Sequence, residues 1–181
     1  NGADISLSAG NTGVLLVISR MILKMMKEVS KPALAGLWPS KKGMTVVLDL
    51  GANIECDEKN LIDFSEMGSA LYKSIFPDQK PKVSLLNIGS EEIKGTEMLK
   101  KTFSKFSLIF SYFSLKKFKS KLDPRKYNGA IFLGLNGPVV KSHGSTDAVG
   151  FYHSIDLCYR IIKGNLMGEI KKNLNHLDVK D

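Results

Sequence analysis

Four times along this chain a short apolar run ends in a turn rich in glycine, asparagine and serine, and a helical pattern follows. The turns are Ser8-Ala9-Gly10-Asn11-Thr12-Gly13, Asp49-Leu50-Gly51-Ala52-Asn53, Gly89-Ser90-Glu91-Glu92 and Lys141-Ser142-His143-Gly144-Ser145. A repeated strand–turn–helix unit is the pattern of α/β domains. It predicts an open, largely parallel sheet with a ligand at the carboxyl ends of the strands. At 181 residues with 43% apolar side chains, the chain has the length and core of one such domain.

Each turn carries candidate chemistry. After a strand at Asp4–Leu7, Ser8, Asn11 and Thr12 offer side-chain donors, while Gly10 and Gly13 let a ligand approach the backbone. Alternatively, Asn11 or Thr12 simply caps a helix to about Lys27, whose inward face is Leu15, Ile18, Ile22 and Met25. Ala33–Leu37 and Met44–Leu50 read as a hairpin-like pair of strands. Asp49, at the end of the second strand, either holds a phosphate-bound cation or a lysine or caps its own turn, and Asn53 could touch ligand. Asp57 or Asn60 starts a helix to about Phe76, with Leu61, Phe64, Met67 and Leu71 inward. Cys56 is either a packing residue or a nucleophile. A further strand, Val83–Ile88, carries Asn87 near its end and leads to Gly89 and the carboxylates Glu91 and Glu92.

The fourth turn is the densest. Gly137-Pro138 punctuates the chain, Val139-Val140 is a strand core, and Lys141, Ser142, His143 and Ser145 then crowd around Gly144. Ser145 is the expected N-cap of the last helix, with Asp147 in its first turn. Free N–H groups at a helix start suit a phosphate. Lys141 would add positive charge and His143 a proton carrier, or these residues only cap the helix. That helix has Ala148, Phe151, Ile155, Cys158, Ile161 and Ile162 as its apolar face and frays past about Met167.

Phe103–Leu122 breaks the pattern. Phe103, Phe106, Phe110 and Phe113 fall at helical spacing, and Lys116, Lys117, Lys119 and Lys121 follow. An aromatic face beside lysines suits an anionic membrane surface or an acidic protein, or else a core or dimer helix with a solvated end. The net charge of +8 favours an acidic partner, an anionic membrane or nucleic acid. Without zinc spacing, a Walker loop or an RNA-binding aromatic motif, nucleic acid is the weakest of the three. Cys56 and Cys158 form no disulfide or metal spacing, so a reducing compartment and no metal are expected. No signal peptide or bilayer-length apolar run is visible. Starting at Asn1 without an initiator Met, the chain reads as trimmed or as part of something larger.

Five stretches, in order, resemble bacterial phosphate acyltransferase. They are Ser8–Gly13; Lys31-Pro32-Ala33-Leu34; Leu48–Asn53 with Cys56; Leu85–Glu92 with Lys94-Gly95; and Gly134–Gly137 through Lys141–Ser145 and Asp147. The resemblance implies a three-layer α/β/α, Rossmann-like sheet similar to isocitrate and isopropylmalate dehydrogenase. No Gly-x-Gly-x-x-Gly fingerprint accompanies it, so no nicotinamide cofactor is expected. The implied reaction is attack of inorganic phosphate on the thioester of acyl-[acyl-carrier-protein], giving acyl-phosphate for phospholipid synthesis.

In that chemistry Ser8, Asn11, Thr12, Gly13, Gly144 and Ser145 would hold phosphate or oxyanion, helped by Gly10, Asn87, Gly89, Glu91 and Asp147. Lys141 would supply charge and His143 would protonate the leaving sulfur, with Asp49 and Asn53 ordering them. Implied partners are the acidic carrier protein, a second copy in a homodimer, and a membrane acyltransferase that takes the product. The chain would be cytoplasmic, meeting the membrane peripherally through Phe106, Phe110, Phe113 and the lysines. Rival expectations are a phosphate acetyl- or butyryltransferase acting on acyl-coenzyme A, or a non-catalytic remnant that keeps a binding surface. Against the family pattern, the chain lacks an N-terminal strand with Asp-Ala-Met-Gly-Gly-Asp and a middle segment with Asp-Gly-Phe-x-Gly-Asn. It reads as one shortened domain over residues 1–181, with 103–122 a Phe/Lys-rich helical insertion.

Overall fold

A computed structural model describes residues 2–40, 43–85 and 123–175. The chain divides into two units, Asn1–Lys82 with Pro124–Asp181, and Val83–Asp123. Every element below belongs to the first. In chain order these are β1 (Ser6–Ser8), α1 (Thr12–Leu23), β2 (Ala33–Ser40), β3 (Gly43–Val47) and α2 (Glu58–Ile75). A short 3-10 turn (Pro124–Tyr127) then leads to β4 (Ala130–Leu133), β5 (Val139–Lys141), α3 (Ala148–Lys163) and α4 (Leu166–Asn175).

The five strands form one sheet in the order β1-β5-β4-β2-β3. It is mixed, not largely parallel as the repeated turns predict. Among the described residues only β1 and β5 run parallel, from Ser6 opposite Val139 to Ser8 opposite Lys141. The pairs β4–β5, β2–β4 and β2–β3 are antiparallel. Connection length is the physical reason. A parallel neighbour needs a crossover of a dozen or more residues, whereas Gly134–Pro138 between β4 and β5 and the short link between β2 and β3 allow only a reversal.

Helices cover both faces of the sheet. On one face Leu15, Leu16 and Leu23 of α1 pack on Leu34, Phe132, Leu135 and Val139. On the other, Ala33, Ala35, Ile131, Leu133 and Val140 meet Phe64, Met67 and Leu71 of α2, Leu157, Cys158 and Ile161 of α3, and Ile170 and Leu174 of α4. Met67, Leu71 and Ile161 are fully buried, and burial of each such side chain contributes about 1.5–3 kcal/mol.

Several inward faces differ from the sequence expectation. On α1, Ile18 and Ile22 are exposed, and the helix ends at Leu23, before Met25. This helix is apolar almost all round, so periodicity alone does not choose a side. On α2, Phe64, Met67 and Leu71 are buried as expected, but Leu61 is exposed. Asp57 and Asn60 both serve at its start, as reciprocal partners in a capping box. On α3 the buried stripe is Gly150, Ser154, Leu157, Cys158 and Ile161, and Phe151, Ile155 and Ile162 face outward. The small residues make the contact because the strand end lies close. A Cβ on Gly129, at φ +114°, would stand 2.9 Å from Leu157 and 3.6 Å from the Ser154 backbone.

The chain does not fray past Met167. It breaks at Gly164 and Asn165 and resumes as α4, which buries Leu166, Ile170 and Leu174. Val83–Leu85 are exposed and carry no strand. The rest of that expected strand, Asn87, Gly89, Glu91 and the Phe103–Leu122 helix lie outside the described residues. Among the described residues no helix is long and apolar enough to cross a membrane.

Candidate functional site

The parallel pair creates the site. Because β1 and β5 run the same way side by side, the turns that follow them emerge together. The pairing continues past the strands, where the Ser142 N–H donates to the Ser8 carbonyl at 2.9 Å. The turns also touch, since a Cβ on Gly144 would lie 3.3 Å from the Ala9 carbonyl oxygen.

In the first turn the Gly10 N–H donates to Ser8 Oγ at 3.1 Å. Asn11 is the N-cap of α1, its Oδ1 accepting the Val14 N–H at 3.1 Å. Thr12 and Gly13, the next residues, donate their N–H groups to nothing among the described residues. They are the unmatched donors of a helix start, where the helix dipole is positive.

In the second turn Asp147, not Ser145, is the N-cap of α3. Its Oδ1 accepts the Gly150 N–H at 2.9 Å, and its Oδ2 lies 3.1 Å from Arg125. Ser145 serves His143 instead. The Ser145 N–H reaches Nδ1 at 3.3 Å and its Oγ lies 2.8 Å from the same atom. A backbone N–H can only donate, so Nδ1 is the acceptor nitrogen and the neutral ring carries its proton on Nε2. His143, Gly144 and Ser145 are exposed, whereas Lys141 and Ser142 beneath them are buried. The Lys141 ammonium donates to the Ser142 carbonyl, and burial lowers its pKa from the usual lysine value.

Asp49 and Asn53 are not brought to this place. β3 runs opposite to β5, so its C-terminal turn falls at the other end of the sheet. There Asp49 is fully engaged. Its Oδ1 accepts the N–H groups of Leu34 and Ala52 at 2.9 and 3.1 Å. Its Oδ2 accepts the N–H and side-chain amide of Asn53 at 2.8 and 2.9 Å. Asn53 also donates to the Pro32 carbonyl at 2.7 Å. The pair staples the β3 turn to the start of β2, and this corrects the expectation that they order Lys141 and His143.

Ser8, Gly10, Asn11, Thr12, Gly13, Lys141, His143, Gly144, Ser145 and Asp147 thus share one end of the sheet. Asn87, Gly89, Glu91, Phe106, Phe110, Phe113, Lys116, Lys117 and Lys119 lie outside the described residues. No group of three or more His, Cys, Asp or Glu side chains that could hold a metal occurs among the described residues. Cys56 is exposed and Cys158 buried, both as free thiols. Sequence reasoning missed Asn128, Thr146 and Ser154, which with Ser142 support the second turn from below. Asn128 lies well before that turn in the chain, and nothing in local spacing connects them.

Two helix starts, backbone donors without an acceptor among the described residues, hydroxyls and an imidazole converge here, and such groups suit a tetrahedral anion. A family model described as "Fatty acid synthesis protein" matches residues 1–113 and 103–168. The phosphate acyltransferase of Pelagibacter ubique is 45% identical, the alignment covering 95% of this chain and 71% of that protein. Those of Agrobacterium fabrum and Sinorhizobium fredii are 32% and 34% identical over 95% of the chain, covering 67% and 68% of their own lengths. The chain belongs to the phosphate acyltransferase family. These alignments span 236 positions, more than the 181 residues of the chain, so the relatives carry residues inside the aligned region that this chain lacks. The two parts of the family match overlap at residues 103–113, at the start of the Phe-rich stretch.

Proposed function

We propose that this chain transfers an acyl group from acyl-[acyl-carrier-protein] to inorganic phosphate, forming an acyl-phosphate for phospholipid synthesis. The observation that carries this reading is the meeting of the Ser8–Gly13 and Lys141–Asp147 turns at the parallel β1–β5 edge, in a member of this family. Phosphate sits against the N–H groups of Thr12, Gly13 and Gly144, with the hydroxyls of Ser8, Thr12 and Ser145 beside it. Lys141 adds positive charge from below the turn, and Asn11 and Asp147 hold the two helix starts.

One phosphate oxygen attacks the thioester carbonyl, the tetrahedral oxyanion is stabilised by the backbone donors, and the thiolate leaves. Hydrogen phosphate brings one proton and the departing sulfur takes one, so the step balances with no outside acid. In this reading His143 hands that proton over. When the ring is cationic its Nδ1–H can donate to Ser145 Oγ, which leaves the Nε2 proton for sulfur. Phosphate is itself the nucleophile, and no covalent enzyme intermediate is needed.

The finer reading extends the fold to the isocitrate/isopropylmalate dehydrogenase architecture, with helices on both sheet faces in support. It adds a homodimer, and a peripheral membrane contact through Phe106, Phe110, Phe113, Lys116, Lys117 and Lys119 that delivers product to a membrane acyltransferase. Asn87, Gly89 and Glu91 keep, in this reading, the substrate-binding role that the family resemblance implies. The net charge of +8 supports an acidic carrier protein as the donor.

The test is phosphate-dependent release of free thiol from a long-chain acyl-[acyl-carrier-protein]. Release that needs phosphate and falls at least a hundredfold in His143→Gln supports the reading. A folded chain with no release overturns it. Faster release from acyl-coenzyme A would transfer the assignment to the short-chain acyltransferases.

A further inference from the structure

We infer that Asn128 is a positioning residue for the phosphate-binding turn, setting the placement of His143. This rests on the site proposed above. Asn128 stands at the foot of β4, and its side chain reaches across to the whole second turn. Its Oδ1 accepts the backbone N–H of His143 at 2.9 Å. Its Nδ2 lies 2.9 Å from Ser142 Oγ, 2.8 Å from Thr146 Oγ1 and 3.0 Å from the Gly150 carbonyl.

These contacts fix the amide's orientation. Turned over, its oxygen would face the Gly150 carbonyl and its NH2 would face the His143 N–H, leaving both pairs mismatched. One side chain therefore ties β4 to the end of β5, to the turn and to the first turn of α3. Ser154 Oγ, 3.1 Å from Ser142 Oγ, extends the network into the buried face of α3.

The consequence for the site is geometric. His143 and Ser145 are exposed, so apolar packing does not place them. The backbone N–H of His143 is held by Asn128, the Thr146 N–H returns to the His143 carbonyl at 3.1 Å, and the ring is set by the Ser145 N–H. Removing the Asn128 amide releases the first of these holds and the Thr146 side chain together. The Ser145 N–H to Nδ1 bond then loses its geometry, and with it the preference for the Nε2–H tautomer. No other residue type supplies an acceptor and two donors at that reach; aspartate has no donor when ionised, and glutamine is one methylene too long.

The experiment compares the whole chain with Asn128→Ala and Asn128→Asp. It reads the His143 ring nitrogens by 15N NMR and the affinity for inorganic phosphate by titration. In the unaltered chain one His143 ring nitrogen shows the pyridine-like shift of Nδ1 and the other the N–H shift of Nε2. In Asn128→Ala the two are expected to move toward each other and phosphate to bind at least tenfold more weakly, with α2 and α4 resonances unchanged. Asn128→Asp keeps the acceptor for the His143 N–H and is expected to fall between.

Unchanged tautomer and affinity in a folded alanine variant overturn the inference. Should that variant not fold, the aspartate variant and the unaltered chain decide. In the unaltered chain the Asn128 Nδ2 resonances must shift with phosphate in step with the His143 ring, and failure to do so overturns it equally. Absence of phosphate binding to the unaltered chain would refute the phosphate reading instead, leaving the tautomer comparison to judge Asn128.

Discussion

Replacing Asp49 by Asn separates the two roles this residue could have. The substitution keeps the shape and exchanges one carboxylate oxygen for an NH2 group. The carboxylate accepts four hydrogen bonds, two at each oxygen, from the Leu34, Ala52 and Asn53 N–H groups and the Asn53 side chain. Whichever way the new amide turns, two of these donors face another donor. A hydrogen bond to a charged group contributes roughly 1.5–3 kcal/mol, and these are only part-buried, so the expected loss is about 2–4 kcal/mol. Set against a total stability on the order of 5–15 kcal/mol, the chain stays folded. With an m-value of about 2 kcal/mol/M, the urea midpoint drops by about 1–2 M.

Because Asp49 lies at the far end of the sheet, phosphate affinity of the folded variant should stay within about twofold of the parent, a change of roughly 0.4 kcal/mol. The assays are urea unfolding by circular dichroism and phosphate titration by calorimetry. A variant with full stability and lost phosphate binding would refute the reasoning and return Asp49 to the site.

Asp63 is buried in α2, and its Oδ2 has no hydrogen bond. Burial raises its pKa against the lowering pull of Lys59, with Asp57 adding to the rise. Ionised Asp63 therefore costs stability, and the cost appears as pH rises from the ordinary carboxylate range through the raised value. Asp63→Leu should gain about 1–3 kcal/mol at pH 7.5 and clearly less at pH 4, read by thermal unfolding at both. Lys141→Met should weaken phosphate about tenfold, the loss of one nearby positive charge, or roughly 1.4 kcal/mol. Since burial lowers the Lys141 pKa, the parent gains stability as pH rises from that lowered value toward 10.5. The methionine variant should lack this gain in unfolding scans at pH 7 and 9.5. A Cβ at Gly164 would lie 1.9 Å from the Ser74 carbonyl oxygen, so Gly164→Ala should destabilise by about 1–3 kcal/mol with phosphate affinity retained.

What the sequence made legible follows physical lines. The β2–β3 hairpin, β5, the Asn11 cap and the buried Phe64–Met67–Leu71 stripe rest on short-range signals and appear in the structure. The face of α3 was legible only at Cys158 and Ile161, because Gly150 and Ser154 are chosen for closeness to β4 and β5, while Phe151, Ile155 and Ile162 point outward. The cap of α3 shifted from Ser145 to Asp147 for a related reason. A donor two residues from His143 is more useful to the ring, and Asp147 reaches both Gly150 and Arg125. Asn128 was invisible because its four contacts depend on β4 and β5 being antiparallel neighbours, a long-range fact.

The same topology explains why only two of the glycine turns with described geometry form one site. A turn after a strand meets its neighbour's turn only if the two strands are adjacent and parallel. β1 and β5 satisfy both conditions, so the Ser8–Gly13 and Lys141–Asp147 turns lie side by side. β3 satisfies neither with respect to β5, and its turn, equally rich in glycine and asparagine, is closed on itself by Asp49. Composition alone makes the two kinds of turn look alike, and strand direction separates them. In the Ser8–Gly13 and Lys141–Asp147 turns the N–H groups of Thr12, Gly13 and Gly144 have no acceptor among the described residues, whereas in the Asp49 turn a carboxylate accepts the N–H groups of Ala52 and Asn53. An internal carboxylate in that place does for the fold what a bound phosphate would do at the other end of the sheet.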